Sequence, residues 1–79
     1  MSFPEEIKKI RQRSFLTQED FAVRIKVSFS TVNRWEGGKA KPNLTAMRNV
    51  RDFCLANEID FSNAEEAWLN YKTEAKNSD

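Results

Sequence analysis

The stretch LTQEDFAVRIKVSFSTVNRWEGGKAKP, residues 16–42, decides how the rest of the chain is read. It holds two short amphipathic segments, roughly 18–25 and 29–36. The first carries Phe21, Ala22 and Ile25 on one side, and the second carries Val32 and Trp35. These are the i, i+3, i+4 spacings of helices with a single apolar face. Thr17, with Asp20 three residues on, nearly matches a capping box, and Ser28 is the N-cap candidate of the second segment. Only Lys26 and Val27 lie between the first helix and that cap. Gly37-Gly38 closes the second helix by supplying residues free to take positive φ.

Outside this stretch the same signals mark three more helices. Ser2 and Glu5 form a capping box for a helix over roughly 3–13, with Pro4 tolerated in its first turn and Phe3, Ile7 and Ile10 on one stripe. Asn43 can cap a helix over roughly 44–56 that buries Leu44, Met47, Val50 and Cys54. Ser62 and Glu65 read as a full capping box for a last helix, roughly 63–72 or beyond, with Ala64, Trp68 and Tyr71 on its inner stripe. No segment alternates apolar and polar residues long enough to be a strand. The expected fold is all-α, five short helices packed around one core in a single domain over residues 1–72, with a frayed tail at 73–79.

Composition narrows the function classes. With 79 residues the chain holds one domain at most. Its 39% hydrophobic content, with only two Gly and two Pro, excludes the disordered and low-complexity classes. There is no histidine and a single cysteine, Cys54. The commonest general base is therefore missing, and so are a disulfide, a zinc cluster and any reason to expect a cofactor. The acid pairs Glu5-Glu6, Glu19-Asp20 and Glu65-Glu66 are adjacent in sequence and do not face one another on a helix, so an enzyme is poorly supported. No apolar run approaches the ~20 residues of a membrane span, and the acidic N-terminus does not read as a secretory signal. A cytoplasmic protein with no membrane contact is the expectation.

The charge is split. Residues 1–55 hold eleven Lys and Arg against six acids, a net of +5, and residues 56–79 hold two Lys against six acids, a net of −4. A basic body with an acidic end is a footprint of polyanion binding.

The two central helices say which polyanion. So short a connection prevents antiparallel stacking and forces a steep crossing, which is the geometry that lets the second helix enter the major groove of duplex DNA. At about 100° per residue, Phe29, Ser30, Asn33 and Arg34 share an arc of about 140°, nearly opposite Val32 and Trp35. Asn pairs bidentately with adenine and Arg with guanine. Phe29 either touches a thymine methyl or packs back on the protein. Gln18, at the positive end of the first of these helices, and Ser28, at the start of the second, can hold phosphates. Lys39 and Lys41 follow in a loop suited to clamping the backbone.

Residues 16–42 resemble the lambda-repressor/Cro-like (Xre) helix-turn-helix family, through T-Q-x-x-x-A, V-S at the turn and W-E-x-G-x-x-x-P after it. The flanking helices extend the resemblance to roughly residues 4–58. It implies a lambda-repressor-like fold and a bacterial or phage transcriptional regulator, repressor-like, that binds an operator as a dimer. It implies base contacts by Phe29, Ser30, Asn33 and Arg34, a contact by Gln18 to phosphate or an adjacent base, and backbone contacts by Lys39 and Lys41. It also implies an ion pair between Arg11 and Glu36, which border faces that should meet. Relatives often carry Gly where this chain has Lys26, so a left-handed Lys26 costs about 1 kcal/mol.

Two further readings concern partners. Leu69 is hard to bury in one subunit, and with Ile59 and Phe61 it suggests a homodimer through the last helix and the preceding loop. The competing function is a protein-interaction adaptor or antitoxin-type module, in which the acidic segment from Glu58 onward meets a basic partner protein.

Overall fold

The computed structural model describes residues 2–71, and the expected frayed tail lies outside the described residues. Five helices follow in order: α1 (Phe3–Arg13), α2 (Gln18–Arg24), α3 (Phe29–Glu36), α4 (Leu44–Ala56) and α5 (Ser62–Leu69). No strand occurs among the described residues. The architecture is the all-α, lambda-repressor-like fold.

Local chemistry sets the helix starts. Ser2 and Glu5 form the reciprocal capping box of α1, with Pro4 in the first turn. Thr17, Ser28 and Asn43 each accept a backbone N–H three residues on, at 3.1, 3.2 and 2.9 Å. Each such cap satisfies a donor that the helix leaves open.

The start of α5 differs from expectation. Ser62 lies inside the helix and its hydroxyl caps nothing. Asp60 serves instead, its Oδ1 accepting from the Ser62 N–H at 3.0 Å and from the Ser62 hydroxyl at 2.8 Å. These two bonds hold the Asp60 carboxyl below its usual range. The helix therefore begins one residue earlier than the serine-first reading gives, and it ends at Leu69.

The ends of α1 to α4 share one device. After each helix the second residue out takes positive φ: Phe15 at 58°, Lys26 at 64°, Gly38 at 77° and Glu58 at 56°. The next N–H reaches back to the third-last residue of the helix. These bonds are Leu16 to Arg11, Val27 to Ala22, Lys39 to Arg34 and Ile59 to Cys54, at 2.8–3.3 Å. This is the Schellman motif, which favours glycine at the left-handed position, yet three of the four positions carry side chains. What holds them is the following residue. Leu16, Val27 and Ile59 all pack, partly buried, against the core, and the apolar area they withdraw from water offsets a left-handed cost of about 1–2 kcal/mol.

The core gathers Phe3, Ile7 and Ile10 of α1, Phe21 and Ala22 of α2 with Ile25 just after it, Val32 and Trp35 of α3, and Ala64 of α5. Phe21 meets Phe53 edge-on, with ring centroids 5.3 Å apart. Trp68 and Tyr71 cover the core from one side, half-buried. In α4, Leu44 is 66% exposed, whereas Phe53 is buried with Met47, Val50 and Cys54. The inner stripe of α4 centres on Val50, and Leu44 falls about 120° away on the helical wheel. Phe53 takes the place in the core that periodicity assigns to Leu44.

Two measurements test this packing. Lys26→Gly and Phe15→Gly should each raise stability by about 1 kcal/mol, which is about 4–8 °C in melting temperature for a domain of this size. An unchanged melting temperature would show that the turns relax in solution. Burial pushes the Cys54 thiol up from 9.0 to about 11. The unfolded chain ionises first, so Cys54 should lower stability progressively as pH rises from about 9 to about 11. Urea midpoints across that range should fall less steeply in Cys54→Ala.

Candidate nucleic-acid interface

The outward side of α3 carries Phe29, Ser30, Asn33 and Arg34, all exposed, with Phe29 at 48%. On the opposite side Val32 and Trp35 are sunk into the core. The helix thus protrudes on one side and is anchored on the other, as the sequence periodicity predicts.

A chain of polar groups runs beneath it. The Arg11 guanidinium donates to both oxygens of Glu36, from Nε to Oε2 at 2.7 Å and from Nη2 to Oε1 at 2.9 Å. Its third donor, Nη1, goes to the Leu16 carbonyl at 2.9 Å. Both side chains are largely withdrawn from water, at 13% and 5% exposure. Glu36 is the last residue of α3, where the helix dipole opposes a carboxylate; the guanidinium offsets that and is itself held more firmly protonated by the bond to Glu36. The ion pair implied by the family resemblance is present.

The chain continues to the surface. Gln18 donates from Nε2 to Glu36 Oε1 at 3.0 Å, and Asn33 donates from Nδ2 to Gln18 Oε1 at 3.1 Å. A carboxylate only accepts. It therefore dictates that Gln18 turns its NH₂ inward and its oxygen outward. That oxygen in turn dictates that Asn33 turns its NH₂ toward it. Asn33 is left with a free carbonyl oxygen and one further N–H on the solvent side, which is the donor and acceptor pair that adenine requires. The bridging role of Gln18 is not evident from spacing, because the signal lies in the direction of each amide.

The phosphate-gripping candidates fall in different settings. Gln18 opens α2 beside its capped N-terminus. Ser28 caps α3 and shares its hydroxyl with Ser30 and Thr31, at 3.2 and 2.8 Å. Lys39 is exposed at the Schellman end of α3. Lys41 is drawn toward α5: its ammonium lies 4.9 Å from the Trp68 ring centroid and donates to the Tyr71 carbonyl at 3.1 Å. Trp68 donates from its indole to the Pro42 carbonyl at 2.8 Å. α5 thereby braces the 37–42 loop, and Asn49 braces the turn between α2 and α3 by donating to the Ile25 carbonyl at 3.2 Å. Neither brace is legible in the sequence.

Among the described residues no His, Cys, Asp and Glu side chains group to hold a metal, and no helix is long and apolar enough to cross a membrane. Ile59 and Phe61, expected at a subunit contact, are partly buried against the chain's own core, while Leu69 is 64% exposed.

Fold and site together define a helix-turn-helix domain of the kind that transcription regulators carry. Residues 7–53, more than half of the chain, match the helix-turn-helix family model, and the chain belongs to that family. The HTH-type transcriptional activator BcrR of Enterococcus faecalis is 28% identical over 78 residues. That match covers 99% of this chain, which spans 38% of the length of that relative. No solved structure matches the chain.

Removing the root of the polar chain should be costly. Arg11→Met leaves Glu36 buried without its counter-charge and should destabilise by about 3 kcal/mol. Glu36→Gln should cost less but permit both amides to rotate, shifting the side-chain NH₂ resonances of Gln18 and Asn33. Unmoved resonances would show that the carboxylate does not orient them.

Proposed function

We propose that this chain is a sequence-specific, double-stranded-DNA-binding transcription regulator that inserts α3 into the major groove. The supporting observation is the orientation of Asn33, set by Gln18 and Glu36 on the exposed side of a protruding helix. Asn33 reads adenine, Arg34 a guanine, Ser30 either base, and Phe29 a thymine methyl. Ser28 and Lys39 hold phosphates, Gln18 does so through its backbone N–H at the start of α2, and Lys41 does so by leaving the Tyr71 carbonyl. Two copies bind half-sites about 34 Å apart. The protein works in the cytoplasm of a bacterial or phage-infected cell. Its mechanism is occupancy: repression where the site overlaps that of polymerase, activation where it lies beside it. The activator relative makes the second arrangement as fitting as the first.

Selection of duplexes from a random pool at physiological salt tests this, with a palindromic consensus as the expected result. Failure to enrich any sequence would reject the proposal. Against the selected site, Asn33→Ala and Arg34→Ala should each cost about 1–3 kcal/mol and relax preference at one base pair. Lys39→Ala should weaken all sequences alike and reduce the slope of log K against log salt by about 1.

A further inference from the structure

The first and last helices leave a gap between them. An open cleft of about 410 Å³ lies along α1 and α5, with Phe3, Ala67 and Tyr71 as its apolar lining. Glu6 lines it from α1, and Asn63 and Glu66 line it from α5. A smaller hollow of about 60 Å³ adjoins it at Glu6 and Asn63, which line both. Glu6 is only 5% exposed, and its Oε2 oxygen accepts no hydrogen bond. The Lys9 ammonium stands 3.8 Å from that oxygen, beyond hydrogen-bond reach, and its side chain is half in water. Every other buried side-chain polar atom among the described residues has a hydrogen-bond partner. A buried acceptor without a donor is costly, so Glu6 is an exception that calls for a partner.

We propose that this cleft binds a small organic cation, an ammonium group joined to an aromatic or aliphatic body. Glu6 sets the head group. A carboxylate only accepts, so the missing partner is a donor. A second carboxylate, Glu66, lines the same cleft and favours a charged donor over a neutral one. The terminal torsion of a glutamate is soft, so the carboxylate can turn to an ammonium in the cleft without any change of backbone. Phe3, Ala67 and Tyr71 set the body. A single water takes about 30 Å³, far less than the cleft, whereas a hydrocarbon body gains by leaving water for such a lining. The faces of Phe3 and Tyr71 attract a cation as well. The Tyr71 wall is already in place: its ring lies 5.8 Å from that of Phe3, its carbonyl accepts from Lys41, and its hydroxyl would stand 3.5 Å from a Cβ on Gly38. Small-molecule sites are largely pre-formed in this way. A bare metal ion is not the occupant, since no acidic groups among the described residues converge to hold one. The inference stands apart from the DNA-binding reading, which uses none of Phe3, Glu6, Asn63, Glu66 and Ala67.

Phenethylamine, an ammonium on a short chain with a phenyl body, is the probe. Titrated into the intact chain and followed by amide nuclear magnetic resonance, it should shift the resonances of Asn63, Ala67 and Asn70 to a saturating limit. Three relatives of the probe separate its parts. Phenylethanol lacks the charge, ethylamine lacks the ring and phenylacetate reverses the sign, and each should bind about tenfold more weakly or less. Glu6→Gln keeps the shape of the side chain, removes its charge and should weaken phenethylamine by about tenfold or more. Ala67→Leu fills the cleft while leaving Glu6 in place and should weaken it as well, so the test survives if either variant misfolds. Circular dichroism reports whether each variant is folded. The proposal is overturned if the shifts fail to saturate or fall outside the cleft, if phenylethanol or phenylacetate binds as well as the amine, or if folded Glu6→Gln binds as the native chain does.

Discussion

The bond between Arg11 and Glu36 is the constraint on which the rest of the surface depends. It joins the C-terminal end of α1 to the C-terminal end of α3, and so fixes the angle at which α3 leaves the core. A largely buried ion pair is poor evidence for stability, since desolvation offsets much of the attraction. Its value here is directional. The carboxylate accepts from three donors on two other helices and transmits a single sense of polarity through Gln18 to Asn33. An amide on a solvated helix would otherwise rotate freely and present either end.

α5 has the complementary role on the far side of the loop. Its Trp68 holds the Pro42 carbonyl, and its ring carries the Lys41 ammonium. The cation–π contact contributes about 0.5–1 kcal/mol at an exposed site. It is strong enough to order a lysine and weak enough for that lysine to exchange to another partner. The acidic end of the chain thus meets a basic side chain through an aromatic ring, beside the apolar contacts that Ala64 and Tyr71 make with the core.

What the sequence reveals follows the range of each interaction. Caps act over three residues, so Ser2, Thr17, Ser28 and Asn43 can be read directly and four helices start where they indicate. Ser62 misleads because Asp60, two residues upstream, takes the N–H and the hydroxyl that a capping serine would organise. Periodicity identifies the inner faces of α1, α2 and α3. It fails at the edge of α4, where Leu44 and Phe53 differ in angle more than in residue type. Lys26 is recognisable as left-handed only because relatives place glycine there. Phe15 and Glu58 give no such sign. The direction of the Gln18 and Asn33 amides depends on a carboxylate 18 and 3 residues away, a tertiary fact that no local pattern carries.

The three side chains held at positive φ have a consequence for how this domain assembles. No glycine stands at Phe15, Lys26 or Glu58 to favour a stop, and the local help is limited to the Ser14 hydroxyl and the Asn57 amide, which donate to the Ile10 and Phe53 carbonyls. The stop is enforced by Leu16, Val27 and Ile59 reaching a hydrophobic centre built from distant segments. The C-terminal ends of α1, α2 and α4 are thus a collective property, firm only when the core has closed, and an excised fragment would keep its N-terminal caps and lose those stops along with its packing. Such an arrangement favours an all-or-none transition, with the recognition surface appearing in the same step as the last turn of each helix.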